Sequence, residues 1–194
     1  MIDKTQIIKN HLLESLNVKN RIIEDNKLIE QIVEASDLII NSIKKGGKVI
    51  WCGNGGSAAD SQHLSTELLG RLNFNRNPIS SIALTTDTSF LTAWSNDIGF
   101  ESIFSRQVEG LGYLGDVLIG ISTSGNSGNI LKAIKSAKEK NIKTIAFLGK
   151  NGGEIKNHAD ISIVVPSENT QHIQESHITI GHIICDIIEQ KLFS

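Results

Sequence analysis

The sequence predicts an α/β protein built on a doubly wound, five-stranded parallel sheet, with a helical extension at its N-terminus. Five short apolar runs follow one another from residue 48 onward, and helical segments alternate with them. The runs are mostly apolar, which is typical of parallel strands that helices cover on both sides. A long amphipathic segment precedes the first run, and a minimal sheet of this kind does not require one. In such a fold ligands bind beyond the carboxyl ends of the strands, so we expect the chemistry in the loops that follow the strands.

The N-terminal segment 3–45 is predicted to be helical because its apolar residues recur at spacings of three and four. Polar stretches at 19–21 and 24–27 indicate two or three helices, and Gly46 and Gly47 end the last of them. These helices carry apolar side chains on more than one face. They therefore either cover the domain's own sheet or pack on a second copy of the chain.

Strands and helices then alternate to the end of the chain. The five strands are predicted at 49–52, 79–84, 117–121, 144–148 and 161–165. The helices are predicted at 57–72, 88–94, 100–109 and 127–140, near 153–158, and from 170 to about 193. With 194 residues and no repeat or linker, the chain suits a single domain, 1–194, in which helices 1–45 precede an α/β core at 48–194.

Composition and charge exclude several classes of protein. Nineteen basic and twenty-one acidic side chains are spread without a basic block, so no nucleic-acid surface is expected. No apolar run approaches the roughly 18 residues needed to span a membrane, and the N-terminus lacks the apolar segment of a signal peptide. Cys52 and Cys185 are far apart and belong to no Cys-x-x-Cys pair, which favours a reduced, cytoplasmic protein.

A glycine-rich loop follows the first predicted strand and reads Gly-Asn-Gly-Gly-Ser from Gly53 to Ser57. Glycines allow a ligand to approach the backbone closely, and the helix that begins here offers free N–H groups to an anion. The loop lacks the Gly-Lys-Ser/Thr of a nucleoside-triphosphate loop, and its glycine spacing is a weak match to a dinucleotide fingerprint. A plain structural turn is the alternative interpretation.

A second polar loop, 122–129, follows the third predicted strand and leads into another helix. It carries four hydroxyls, two asparagines and no cation, a composition typical of a phosphate cradle at a helix N-terminus. The hydroxyls belong to Ser122, Thr123, Ser124 and Ser127. A capped turn would need a single hydroxyl, so the surplus favours a ligand.

One further polar segment, Trp94-Ser95-Asn96-Asp97, follows the short helix predicted after the second strand. A substrate contact by Asn96 and Asp97 and a simple turn explain this segment equally well.

Two helices carry candidate acid–base or metal-binding groups. His63 and Glu67 are four residues apart, so they share one face of the helix after the glycine loop. On the last helix, Gln174 and His182 lie about 80° apart around the axis, which allows both to face one cleft. This set fits a divalent metal, with zinc favoured by the imidazoles, or a general acid–base pair. A surface hydrogen bond of His63 and a core role for His182 are the alternatives.

Taken together, these motifs resemble the phosphoheptose isomerases, members of the sugar isomerase (SIS) domain superfamily. The matching residues are 53–60, Gln62, His63, Glu67, 96–97, 100–101, 104–107, 122–127, 173–175 and His182. The serine-rich loop is typical of the whole superfamily, whereas its combination with the acid–base residues is typical of the isomerases. The resemblance extends over nearly the whole chain, including the helical extension, and implies an SIS-type, flavodoxin-like sheet.

The resemblance implies an aldose–ketose isomerase that converts sedoheptulose 7-phosphate to D-glycero-D-manno-heptose 7-phosphate. This is the first step of bacterial ADP- or GDP-heptose biosynthesis, which serves lipopolysaccharide, capsule or glycoprotein. It also implies a homotetramer with active sites at subunit interfaces, which would give the N-terminal helices a partner.

The resemblance further implies one zinc per subunit and a set of site residues. The zinc ligands would be His63, Glu67, Gln174 and His182, and the catalytic pair would be Glu67 and His182. The implied substrate contacts are Asn54, Gly55, Gly56, His63, Glu67, Asn96, Asp97, Ser122, Thr123, Ser124, Ser127 and Gln174. Several relatives carry an arginine, and some an acidic residue before it, where this chain has His172 and Gln171. That departure puts assistance to sugar ring opening from this corner in question.

The implied reaction moves a proton between C1 and C2 through an enediol, with Glu67 as the base at carbon and His182 as the acid at oxygen. Two alternatives stay open. A non-catalytic SIS-domain binding protein, such as a replication-initiator-associating protein or a sugar-phosphate sensor, needs no paired acid and base, so the presence of both residues argues against it. A nucleotide-binding α/β protein is disfavoured by the missing fingerprint spacing.

Overall fold

The computed structural model describes residues 3–193 and confirms the predicted α/β fold. Five parallel strands form one sheet in the order β2-β1-β3-β4-β5. These are β1 (Val49–Gly53), β2 (Ser81–Ala83), β3 (Val117–Ser122), β4 (Lys143–Gly149) and β5 (Ile161–Val165). The chain leaves neighbouring strands β1 and β3 toward opposite edges of the sheet, so the loops after these two strands meet at its switch point. The predicted domain 1–194 includes Met1, Ile2 and Ser194, which lie outside the described residues.

Helices cover both faces of the sheet. They are α1 (Lys4–Glu24), α2 (Asn26–Lys44), α3 (Gly56–Leu69), α4 (Thr88–Asp97), α5 (Ile103–Leu111), α6 (Gly128–Glu139) and α7 (Thr170–Phe193), with short 3₁₀ turns at Phe100–Ser102 and Ile155–Asn157. Alternate strand residues point to opposite layers. Trp51 packs in the core with α2, α3 and α7, whereas Cys52 packs in the core with α5 and α6. None of the helices between residues 3 and 193 is long and apolar enough to cross a membrane.

The N-terminal extension consists of two helices. The polar stretch at 19–21 does not interrupt α1, which runs on to Glu24. The chain breaks at Asp25, whose carboxylate accepts a hydrogen bond from the Leu28 N–H at 3.0 Å and so caps the start of α2. Helix α2 buries one face against the sheet. Helix α1 buries only Val18 and Ile22, so most of its apolar stripe stays exposed.

Two predicted boundaries are wrong in ways that matter for the site. Helix α4 extends to Asp97, so Asn96 and Asp97 lie in its last turn and not in a loop behind it. The helix ends there because Gly99, at φ 128°, donates its N–H to the Trp94 carbonyl in a conformation that favours glycine. Helix α3 begins at Gly56 and ends at Leu69, three residues before the predicted end.

The loop after α3 is held by a buried ion pair. Glu189 is fully buried on α7 and accepts hydrogen bonds from the backbone N–H groups of residues 72, 73 and 74. Its second partner is Arg76, whose Nε donates to Glu189 Oε1 at 2.7 Å. Those N–H groups bond to a carboxylate on another helix and not to α3 itself, which explains why α3 stops early.

Candidate functional site

The glycine-rich loop occupies the carboxyl end of β1. Gly53 ends the strand, and a Cβ at this position would collide with the carbonyl of Ser57 in the first turn of α3. Gly55 adopts φ 56°, in the left-handed region that glycine tolerates best. The close approach at Gly53 and the positive φ of Gly55 allow the chain to turn tightly into α3. This arrangement brings the start of the helix directly above the end of the strand.

A pair of asparagines joins this loop to the serine-rich loop. Asn54 Nδ2 donates to Asn129 Oδ1 at 2.9 Å, and Asn129 Nδ2 donates back to Asn54 Oδ1 at 2.9 Å. Asn129 lies in the first turn of α6 and is 2% exposed. Asn129 was not among the site residues predicted from the sequence, although it closes the polar loop 122–129. The signal that could have identified it is a polar amide in the first turn of a predicted helix, past the N-cap position where asparagine is usually found.

The serine-rich loop occupies the carboxyl end of β3. Ser122 and Ser127 share a hydrogen bond of 2.9 Å between their hydroxyl oxygens. Ser127 stands at the N-cap position of α6, yet its side chain caps no backbone N–H of the helix. Ser124 Oγ accepts a hydrogen bond from the Asn126 N–H at 3.1 Å. The Ser127 side chain therefore does not form the capped turn that was the alternative explanation of this loop. The first N–H groups of α6 are left without that side-chain cap.

Three of the four predicted metal-binding side chains converge between α3 and α7. His63 Nε2 lies 2.8 Å from His182 Nε2 and 3.1 Å from Glu67 Oε1. The ligand atoms of the three residues all lie within 4.8 Å of one another. His63 is about half exposed, whereas the Glu67 side chain is 18% exposed. Two imidazoles and one carboxylate at this spacing can hold a transition metal such as zinc or exchange protons with a bound molecule.

The fourth predicted residue, Gln174, precedes His182 by about two turns of α7 and contacts α3 at Asp60, about one turn before His63. Its Nε2 donates to Asp60 Oδ1 at 3.3 Å, and its amide fills the space beside Gly56, where a Cβ would lie 2.5 Å from Nε2. The amide oxygen is not used in that hydrogen bond and remains available as an acceptor or ligand. Gln174 therefore borders the glycine-rich loop at Gly56 and contacts Asp60 on the helix that carries His63 and Glu67.

Asp60 is a buried acid that was not among the site residues predicted from the sequence. It shares a face of α3 with His63 and Glu67, at spacings of three and seven. Burial raises the pKa of the Asp60 carboxyl, while the Gln174 hydrogen bond and the nearby His63 and His182 act in the opposite direction. Its Oδ2 has no hydrogen-bond partner among residues 3–193. The i, i+3, i+7 spacing was the signal that could have identified it.

A cleft of about 510 Å³ opens beside the glycine-rich loop. Its polar wall includes Asn54 and Gly55, and its apolar wall comes from α4, α5 and the 3₁₀ turn between them through Leu91, Phe100 and Phe104. Asn96 and Asp97 do not join the other predicted site residues. Both are exposed, and among residues 3–193 their side chains bond only to each other, at 2.8 Å.

The histidines of α7 have different surroundings. His177 is fully buried and donates from Nε2 to the Leu148 carbonyl at 2.8 Å, so it is a core residue. His182 faces α3 and belongs to the cluster with His63, so the core alternative considered for it is wrong. The fold and the site together define a doubly wound α/β protein with a His–Glu–His cluster beside the switch point of its sheet.

Comparison with known proteins identifies the family. The model of the SIS domain family matches residues 13–149. The chain is 54% identical over 186 residues to the phosphoheptose isomerase of Sulfurimonas denitrificans, across 96% of this chain and 95% of the relative. The chain belongs to the SIS domain family and, within it, to the phosphoheptose isomerases.

Two solved structures agree with this assignment. The phosphoheptose isomerase of Neisseria gonorrhoeae superposes with a TM-score of 0.91 at 42% identity, across 97% of this chain and 100% of that one. The phosphoheptose isomerase of Francisella tularensis superposes with a TM-score of 0.93 at 38% identity, across the same shares of the two chains. These superpositions include the helical extension as well as the sheet.

Proposed function

We propose that the protein is an aldose–ketose isomerase that converts sedoheptulose 7-phosphate to D-glycero-D-manno-heptose 7-phosphate. The observation that carries the proposal is the convergence of His63, Glu67 and His182 from two helices beside the two ligand loops. An isomerase of this kind needs one group that moves a proton at carbon and another that moves a proton at oxygen. The relatives named above supply the substrate class, since each is a phosphoheptose isomerase.

The serine-rich loop is proposed to bind the phosphate through Ser122, Thr123, Ser124 and Ser127. Its support is the N-terminus of α6, where the Ser127 side chain caps no backbone N–H and the first N–H groups can attract an anion. Binding energy from the phosphate would then hold C1 and C2 of the sugar near the histidine cluster.

The sugar itself is proposed to contact the glycine-rich loop through Asn54, Gly55 and Gly56. The cleft beside that loop supports this placement. Asn96 and Asp97 remain proposed substrate contacts. Among residues 3–193 their side chains make no hydrogen bond to the two loops, and a contact from a second subunit is consistent with their exposure.

Glu67 is proposed as the base that moves the proton between C1 and C2, and His182 as the acid that serves the oxygen. The Glu67 carboxylate is partly exposed, so a substrate can reach it. Its neighbour His63 lies between it and His182, at hydrogen-bond distance from both. The proton that Glu67 takes from carbon and the proton that His182 gives to oxygen are therefore handled by groups on either side of one imidazole, His63.

The donor set also fits a zinc ion. His63, Glu67 and His182 already converge within 4.8 Å. Gln174 donates to Asp60 through its nitrogen, so that hydrogen bond does not use its amide oxygen. We propose that these four residues hold one zinc per subunit. When bound there, the ion would polarise the sugar carbonyl and lower the barrier to enediol formation.

The assembly is proposed to be a cytoplasmic homotetramer with active sites at the subunit interfaces. Helix α1 supports it, because it exposes a long apolar stripe that includes Ile8 and Leu12, at 61% and 67%. An apolar groove of about 300 Å³ between α1, α2 and α7 continues that surface. Light scattering at several protein concentrations tests the proposal, and a monomer would contradict it.

The activity is tested by incubating the protein with sedoheptulose 7-phosphate and following aldose phosphate by NMR, with and without a chelator. We expect turnover, loss of turnover with chelator, and recovery with added zinc. Glu67→Gln should reduce turnover by about three orders of magnitude or more, since it removes the proposed base. A Glu67→Gln variant that isomerises at the wild-type rate contradicts the assignment of that residue. Binding without turnover in the wild type would favour the non-catalytic sensor.

A further inference from the structure

A second cluster of metal-binding side chains joins α1 to the beginning of α7. It consists of His11 and Glu14 on α1 and His172 on α7, whose ligand atoms all lie within 4.8 Å of one another. His172 Nε2 lies 3.3 Å from Glu14 Oε2, and the rings of His11 and His172 are 6.1 Å apart between centroids. We propose that these three residues form a second site for a divalent metal of the zinc class.

The surroundings of His172 favour a metal over a simple ion pair. His172 is 5% exposed, and both ring nitrogens face carboxylates, since Nδ1 lies 3.2 Å from Glu175 Oε1. A metal-ligating histidine characteristically donates its other N–H to a carboxylate, which fixes the ring. Glu175 itself is held by Lys19, whose Nζ lies 3.6 Å away. Glu175 thus supports the ring from behind, and Nε2 points at Glu14 and His11.

The spacing and donor types fit zinc. Zinc binds imidazole nitrogen and carboxylate oxygen at roughly 2.0–2.2 Å in a tetrahedron, so neighbouring ligand atoms lie about 3.3 Å apart. Glu14 Oε2 and His172 Nε2 already have that separation. His11 is exposed and three residues before Glu14, which places both side chains on the same face of α1. The fourth position is left to water.

The second site is separate from the proposed isomerase site. His172 and Gln174 are two residues apart on α7 and therefore point in nearly opposite directions. His172 and His182 are separated by about 15 Å along the helix axis. One ion cannot serve both clusters.

The site has a structural consequence for the N-terminal extension. Residues 4–14 of α1 are exposed throughout, and the buried contacts of this helix begin only at Val18. A metal at His11 and Glu14 would therefore attach the otherwise loosely held half of α1 to the helix that carries Gln174 and His182. Metal at this site is expected to stabilise the docking of α1 on α7.

The test measures metal content of the full-length protein after chelation and dialysis against buffered free zinc. We expect the wild type to hold one more equivalent per subunit than His11→Gln or Glu14→Gln. Glu175→Gln should weaken the second site by about 10- to 100-fold, as loss of an outer carboxylate does elsewhere. His158→Gln is the matched control, because His158 also pairs with a glutamate on the surface, at 3.8 Å from Glu154. It should bind the same number of ions as the wild type.

A second background separates this proposal from the isomerase site. The double variant His63→Gln with His182→Gln should retain one equivalent of zinc or cobalt per subunit, and its thermal midpoint should rise when zinc is added. Adding His11→Gln should abolish both effects. Equal metal content in the wild type and His11→Gln, or no bound metal in the double variant, overturns the second site. Neither readout depends on isomerase activity, so each proposal fails on its own measurement.

Discussion

Asn54 and Asn129 exchange two hydrogen bonds of 2.9 Å and so tie the loop after β1 to the loop after β3. The two residues are 75 positions apart in the chain, yet the strand order makes their loops neighbours. A reciprocal amide pair satisfies a donor and an acceptor on each side chain at once. This pair therefore joins the proposed sugar loop directly to the proposed phosphate loop, beyond the point where the pairing of β1 with β3 ends at Gly53 and Ile121.

Replacement of Asn129 by alanine should weaken both stability and activity. Asn129→Ala leaves the Asn54 amide without its partner, and we expect the free energy of unfolding to fall by about 1–3 kcal/mol. The value of kcat/KM should fall as the two loops lose their alignment. Urea denaturation and the sedoheptulose 7-phosphate assay measure the two effects.

A double-mutant cycle isolates the contribution of the pair. Asn54→Ala, Asn129→Ala and the double variant should show a coupling of about 0.5–3 kcal/mol, because each single change removes the same two hydrogen bonds. Additive losses within error would mean that the two side chains act independently and would remove the basis for loop coupling.

Gly56→Ala should impair the site while leaving the fold intact. A Cβ at Gly56 would lie 2.5 Å from Gln174 Nε2, and the end of a glutamine side chain can move aside. Displacement of Gln174 by about 1 Å should lower kcat/KM by about 10- to 100-fold. The thermal midpoint should change little, since no backbone atom has to move.

Gly110→Ala is the matched control for this change. Gly110 lies in α5, and a Cβ there meets no atom within 4 Å. Alanine is favoured over glycine in a helix interior, so this variant should keep full activity and gain slightly in stability. Equal activity in the two alanine variants would show that Gln174 does not need its observed position.

Ser127→Ala should raise KM with little change in stability. Serine at an N-cap normally contributes about 1 kcal/mol through a hydrogen bond to the helix, but the Ser127 side chain caps no backbone N–H of α6. Its hydroxyl bonds to Ser122 and faces the proposed phosphate position. A loss of stability of 1 kcal/mol or more, as estimated for an ordinary cap, with unchanged KM would assign Ser127 to folding and not to the phosphate.

Local patterns were sufficient to predict the sheet and most of its helices. The strands are buried apolar runs, and the burial pattern of β1, in which all five residues are buried, matches that expectation. The end of α3 was wrong because a distant side chain decides it: Glu189 binds the N–H groups of residues 72–74. Spacing along the chain carries no information about a partner more than a hundred residues away.

In the candidate site, too, local spacing predicted some residues, whereas others depend on distant partners. His63 and Glu67 were predictable because they share one helix face, and His182 because it shares a helix with Gln174. Asn129 and Asp60 were not assigned: each had a local signal, but the partner that gives it a role, Asn54 or Gln174, is distant in the chain. Asp60 became visible through its bond to Gln174, which joins α3 to α7.

His177 should make the protein less stable as the pH falls from about 6.5 to about 4. Burial lowers the pKa of His177 from 6.5 to about 4, although its hydrogen bond to the Leu148 carbonyl opposes this shift. Between these values the unfolded chain binds a proton at this residue that the folded chain does not, so the free energy of unfolding decreases as pH decreases. The full effect is about 3 kcal/mol, and it is absent above pH 6.5.

His177→Gln keeps an N–H donor for Leu148 but does not titrate, so its stability should fall less steeply across this window. His158→Gln, at a partly exposed histidine, should follow the wild type. Wild-type pH dependence in His177→Gln would refute the role of His177.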